Sequence, residues 1–206
     1  MFCRHYIAAP YMQDVRRWAP QAKVLFDSVD LHYLREQRMA ELENDGHLLK
    51  LSEKTREQEL GVIRQADVTL VVSPVEKALL ATETPDARVE VLSNIHEPVA
   101  HTPGFDGRDG LLFVGGFQHP PNVDAVRWFL EEVWPIVHQR APHITVRIVG
   151  SKMPDSLKAL AGPGIEILGF VADLDPLLAS SKVSIAPLRY GAGVKGKVNQ
   201  SMAHGQ

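Results

Sequence analysis

Residues 110–150, GLLFVGGFQHPPNVDAVRWFLEEVWPIVHQRAPHITVRIVG, decide the fold. The stretch opens on an apolar run, Gly110–Val114, which reads as a buried strand. Two glycines follow, then a helix from Asn122 to about Gln139, then a second apolar run, Ile144–Val149. Continuous apolar strands separated by helices imply parallel strands covered on both faces. Right-handed crossovers then stack such units into an open, doubly wound sheet.

The same alternation extends in both directions. Downstream, a short helix over Ser156–Ala161 precedes a strand at Ile165–Phe170, a helix at Asp173–Ala179, a strand at Val183–Ala186 and a helix opening at Lys197. Upstream, Lys23–Val29, Val68–Val72 and Val89–Leu92 read as strands. Between the first two lies a charged stretch, Tyr33–Gln65, that reads as one long helix or as two broken near Asp45-Gly46. Ser73-Pro74-Val75-Glu76 has Ser at an N-cap, Pro at the first helical position and an acid at the third. The segment Asn94–Asp109, with Pro98, Pro103, Gly104 and Gly107, breaks the pattern and reads as a linker. The expected organisation is therefore a first unit over 1–98, with the linker from about 94, and a second over 107–206.

Composition narrows the function classes. A formal net charge of -3 lacks the basic footprint of a nucleic-acid binder. A single cysteine, Cys3, excludes a disulfide scaffold and points to a reducing, cytoplasmic setting. No apolar run reaches the ~20 residues that span a bilayer, and charges at Arg4, Asp14, Arg16 and Arg17 rule out a signal peptide over Met1–Ala22. Contact with the inner membrane face needs only a surface patch and stays open.

In doubly wound sheets ligands bind beyond the carboxyl ends of the strands. Two loops there stand out. In Phe113–Asn122, Gly115 and Gly116 follow a strand directly, and the next helix starts at Asn122, so backbone N–H groups and a positive helix end share one space. A glycine pair in that place also serves a plain tight turn, and the G-x-G-x-x-G spacing of a dinucleotide site is missing. In Pro187–Lys197, Gly191, Gly193 and Gly196 alternate with Arg189, Lys195 and Lys197 at the start of a helix. Cations are unfavourable at that helix end, and a bound diphosphate removes the conflict; the alternative is a solvated basic loop. Asp27, Asp30 and His32 follow the first strand. Ser73 and Glu76 need only a capping role, and Asp173 and Asp175 start a helix. His5, His96, His101, His138 and His143 show no spacing that marks a metal.

In order and spacing, FVGGFQHPPNVDAVRWFLEEVWPIV, VRIVGS and LGFVADLDPLLASSKVSIAPLRYGAGVKGKVNQSMAHG resemble the donor-binding half of family-four glycosyltransferases. FDSVDLHYLREQR, ADVTLVVSPVEKALL and VEVLSNIHEP resemble the end of their acceptor-side half. The resemblance covers most of the chain from about Lys23. It implies an α/β fold of GT-B type, with two Rossmann-like, doubly wound parallel sheets, both incomplete in this chain, which reads as cut short at both ends and inactive alone. It also implies retaining transfer from a nucleotide diphosphate sugar to a sugar, lipid-linked or other acceptor in polysaccharide or glycan biosynthesis, with no metal or other cofactor.

Carried over by position, Lys195 and Lys197, helped by Arg189, meet the charge on the leaving diphosphate. Gly115, Gly116, Phe117, Asn122, Gly191, Gly193 and Gln200 line the donor site. Gln200 stands where many members carry the second glutamate of an E-x7-E motif, and Ala192 stands eight residues earlier; the departure leaves nucleotide and sugar undetermined. An incomplete sheet edge would also favour self-association. The alternatives are a sugar-nucleotide 2-epimerase of the same architecture, against which the basic loop argues, and a non-catalytic nucleotide-binding or interaction module. A nicotinamide-binding Rossmann protein is disfavoured by its missing glycine spacing.

Overall fold

The computed structural model describes residues 1–206, which divide into two units. The first comprises Met1–Asn94 with Tyr190–Val194, and the second Ile95–Arg189 with Lys195–Gln206.

The first unit runs β1 (Phe2–Cys3), α1 (His5–Trp18), β2 (Leu25–Asp27), α2 (His32–Glu43), α3 (Gly46–Gln65), β3 (Val68–Val71), α4 (Pro74–Glu83) and β4 (Val89–Val91). Its strands pair in parallel in the order β1-β2-β3-β4, with Phe26 opposite Phe2 and Thr69, and Thr69 opposite Val89. Phe26, Leu31, Tyr33, Leu60, Ile63, Val71 and Leu80 form the core. The charged stretch is two helices, broken at Asn44, whose φ of 52° is left-handed. Asp45 then caps α3, accepting from the His47 and Leu48 N–H groups at 2.7 and 3.2 Å. Ser73 caps α4, accepting from the Glu76 N–H at 3.2 Å. Neither β1 nor α1 is evident in the sequence. The inward face of α1 holds only His5, Ala8 and Met12, too small an apolar stripe to read as periodicity.

The second unit runs β5 (Asp109–Val114), α5 (Pro120–Trp128), α6 (Trp134–Arg140), β6 (Val146–Val149), α7 (Asp155–Lys158), β7 (Ile165–Gly169), α8 (Asp175–Ser180), β8 (Ser181–Ser184) and α9 (Gly196–Ala203). The helix expected from Asn122 to Gln139 is divided by a wide π turn over Phe129–Val133. Pro135, just past it, has no N–H to return to the preceding turn, so the hydrogen-bond ladder is reset there. Strand β8 lies two residues earlier than Val183–Ala186, although Ile185 N–H still reaches Leu112 O at 2.8 Å.

All strands of this sheet are parallel in the order β7-β6-β5-β8. Alternate residues of β5 point to opposite faces. Phe113 joins Phe129, Trp134, Ile148 and Leu157 on one face, and Leu112 joins Val149 and Leu178 on the other. The chain steps outward from β5 through β6 to β7, then returns to the far side of β5 with β8. That reversal makes the carboxyl ends of β5 and β8 the place where such sheets bind ligands.

Candidate functional site at the carboxyl ends of β5 and β8

Helix α5 follows β5 and α9 follows β8, so both helices begin at the reversal point. Neither has an acidic residue in its first turn. Their positive ends are therefore not offset by carboxylates of their own. The two starts are tied together: Lys197 Nζ, in the first turn of α9, donates to Asn122 Oδ1, in the first turn of α5, at 2.7 Å. Asn122 Nδ2 donates in turn to Gly116 O at 2.8 Å, fixing which end of its amide faces the lysine.

The Lys197 ammonium also sits 3.9 Å from the centroid of the Phe113 ring. Its polar partner is thus a neutral amide, not a carboxylate. Burial, with a smaller push from Lys195, lowers its pKa to about 8. A half-buried cation at two helix starts, with no anion of the protein beside it, is poised for an anion from outside.

Backbone packing makes room for this arrangement. A Cβ on Gly115 would lie 2.9 Å from the Asn122 side chain and 3.1 Å from Lys197 Nζ. Gly115 N–H is held by Val149 O at 3.0 Å, and a Cβ on Gly150 would stand 1.8 Å from Gly115 O. Gly150 is therefore obligatory for the turn after β5, although it belongs to β6's loop, and the sequence reading did not single it out.

The remaining expected residues take varied places. Arg189 Nε donates to Asp124 Oδ2 at 3.0 Å and its Nη2 to the other carboxylate oxygen, with the guanidinium 5.9 Å from the Trp128 ring. Asp124 and Asn122 are two positions apart on α5, about 200° around the helix, so Arg189 is gripped on another face from Lys197. Lys195 is the N-cap residue of α9. The Phe117 ring is a core residue, 6.1 Å from Phe113, and its N–H is taken by Ser151 O. Gln200 lies within α9, its main-chain O accepting from His204.

Gly191 and Gly193 belong to the first unit. Gly191 O accepts from Arg38 Nη1 at 2.5 Å. Gly193, at φ 68°, would bring a Cβ to 3.1 Å from both Asp30 and Val72 side chains. The structure thus gathers Gly115, Gly116, Asn122 and Lys197 into one constellation.

The polar residues after β2 have structural partners. Asp27 Oδ1 accepts from Val29 N–H at 3.0 Å, and Asp30 pairs with Arg35. Glu76 is buried and its Oε1 accepts from Leu31 N–H at 3.2 Å; burial pushes its carboxyl up. His32 joins His5 and Glu59, a cluster from three distant segments that no spacing announces. Asp173 accepts from Asp175 N–H at 3.0 Å at the start of α8.

Residues 108–206 match the family described as "Glycosyl transferases group 1". A Klebsiella pneumoniae protein, described as an uncharacterized 44.6 kDa protein in the cps region, is 29% identical over 113 residues, 48% of this chain and 29% of that protein. Sucrose-phosphate synthase from Thermosynechococcus elongatus superposes with a TM-score of 0.70 at 16% identity, over 98% of this chain and 53% of its own. The UDP-forming trehalose-phosphate synthase from Burkholderia xenovorans gives 0.68 at 11%, over 98% and 55%. A variant of S. aureus TarM, in complex with Fondaparinux, alpha-GlcNAc-glycerol and UDP, gives 0.66 at 11%, over 89% and 35%. These likenesses establish a shared fold, the GT-B type with two parallel-sheet units. The chain spans well under two thirds of the length of this relative and of each of these fold neighbours. No helix is long and apolar enough to cross a membrane.

Proposed function

We propose that this chain carries the donor site of a retaining glycosyltransferase that moves a sugar from a nucleotide diphosphate sugar to a sugar, lipid-linked or other acceptor. The observation that carries this reading is the Lys197–Asn122 bond across two helix starts at the reversal of a parallel sheet. Cleaving the sugar–phosphate bond builds negative charge on the leaving diphosphate. A preorganised cation with backbone dipoles aimed at that charge lowers the barrier. Lys197 and the Gly116 N–H supply that environment, with Lys195 beside them and Gln200 of α9 offered to a ribose hydroxyl. In this reading the leaving group needs no metal, because lysine and helix ends already meet its charge.

The group 1 match and the UDP named for two of the neighbours support a nucleotide donor. The cps region named for the Klebsiella relative supports polysaccharide biosynthesis as the setting. The site of action is the cytoplasm, with peripheral contact at the inner membrane face where the acceptor is lipid-linked. Self-association would use the open edge of β8, where Val183 is exposed.

Calorimetric titration with UDP, GDP and ADP, with and without magnesium, tests the donor site. One nucleotide should bind without metal, and a Lys195→Ala/Lys197→Ala variant should lose it. A well-folded chain that binds none of the three overturns the assignment.

A further inference from the structure

His5, His32 and Glu59 are each almost wholly enclosed, with 5%, 7% and 0% of their surface exposed. They come from the first turn of α1, the first turn of α2 and the interior of α3. All three belong to the first unit. Each offers one ligand atom, and the three atoms lie within 4.8 Å of one another.

The distances separate two readings. His5 Nδ1 and His32 Nδ1 each stand 3.6 Å from Glu59 Oε1. That is long for a hydrogen bond, whose N···O distance runs about 2.7–3.2 Å. Accordingly His5 Nδ1 and Glu59 Oε1 are buried without a hydrogen-bond partner. Two orphaned polar atoms facing each other in a closed space are costly unless something sits between them. A separation near 3.4 Å is what two ligands show across the edge of a tetrahedron with metal–ligand bonds of about 2.0–2.2 Å. The imidazole rings, 5.0 Å apart and crossed at 77°, are oriented as separate ligands and not stacked.

We propose that His5, His32 and Glu59 form a binding site for a divalent transition cation of the zinc class, which clips α1, α2 and α3 together. Two imidazoles and a carboxylate are a donor set that suits zinc, with a fourth position to fill. Asp30 supplies candidates for it: its main-chain O and its Oδ1 lie 3.1 and 3.7 Å from His32 Nδ1. For His32 Nδ1 to take the cation, the proton it shares with Asp30 O moves to Nε2, and the ring stays neutral.

The local chemistry is consistent with a cation. Glu59 Oε2 accepts from Tyr33 N–H at 3.1 Å, which orients the carboxylate and leaves Oε1 for the cluster. The backbone on both sides is also held in a costly shape: Arg4, before His5, has φ 70°, and Val29, just ahead of Asp30 and His32, has φ 67°. A β-branched residue there is a real outlier, of the kind that gathers at functional sites.

The test uses the full chain, stripped with chelator and returned to metal-free buffer. Zinc is titrated against a chromogenic indicator, cobalt is added in parallel for its visible absorption, and unfolding is followed by circular dichroism. One zinc per chain should bind, raise Tm, and be matched by cobalt bands of a tetrahedral nitrogen–oxygen site. Glu59→Gln and His5→Gln should each weaken binding by at least roughly 100-fold, since even outer-shell changes cost about 10–100-fold. His47→Gln, at an exposed histidine outside the cluster, should bind as before. If Glu59→Gln does not fold, His5→Gln decides. A folded chain that takes up no zinc, or variants that bind it undiminished, overturn the site.

Discussion

Lys197 Nζ and Asn122 Oδ1, 75 positions apart in sequence, meet at 2.7 Å and join the first turn of α9 to the first turn of α5. The bond holds an ammonium where two helix starts and a glycine turn converge. Lys197→Ala is expected to keep the fold and to lose the nucleotide. On the proposed donor-site reading, removing one preorganised donor of this kind typically costs roughly 3–4 kcal/mol of barrier, a turnover loss on the order of 100- to 1,000-fold. Titration calorimetry and a donor-consumption assay read the two effects, and unchanged binding in the variant would argue against the site.

The same lysine sets a pH dependence. Its pKa falls from 10.5 to about 8, first through burial and then through Lys195. The folded protein therefore binds fewer protons than the unfolded chain between about pH 8 and 10.5. The cost to stability, about 3 kcal/mol at 1.36 kcal/mol per unit, is fully present below pH 8 and is relieved as pH rises towards 10.5. Nucleotide affinity should run the opposite way, declining above pH 8 as the charge is lost. Lys197→Met should flatten the stability profile, measured by thermal denaturation.

Gly150 is expected to tolerate no side chain. A Cβ there would meet Gly115 O at 1.8 Å, a backbone atom that cannot swing away. Gly150→Ala should cost about 1–3 kcal/mol or more and displace the Gly115 turn. Urea denaturation reports the first effect, and weakened nucleotide binding reports the second.

Asp67 carries an acid-sensitive clasp in the first unit. Val24 N–H at 2.8 Å and Arg16 Nη2 at 3.0 Å hold its carboxylate, with Lys23 Nζ at 3.3 Å. These partners lower its pKa from 3.8 to about 2, the Val24 N–H most. The stabilisation is present above pH 3.8 and is lost as pH falls through about 2. Asp67→Asn should reduce the pH dependence of unfolding over that window, as followed by circular dichroism.

Much of the architecture is legible in the chain. VTLVV and VRIV are apolar runs between polar helices because strands covered on both faces need no alternation. Asp45-Gly46 and Ser73-Pro74 mark helix starts because capping is a local interaction, decided within a few residues. The glycine pair at Gly115-Gly116 and the cations of Arg189–Lys197 likewise point to the carboxyl ends of β5 and β8.

The rest depends on contacts that sequence distance hides. That Lys197 is neighboured by Asn122, that Arg189 is taken by Asp124, and that Gly150 shapes Gly115 all follow from the pairing of β5 with both β6 and β8. The histidine–glutamate cluster of the first unit assembles from positions 5, 32 and 59 because α1 and α2 both pack on α3. Capping and strand burial are settled by neighbours along the chain. The charge, protonation and partners of a buried side chain are settled by whatever the packed sheet brings to it.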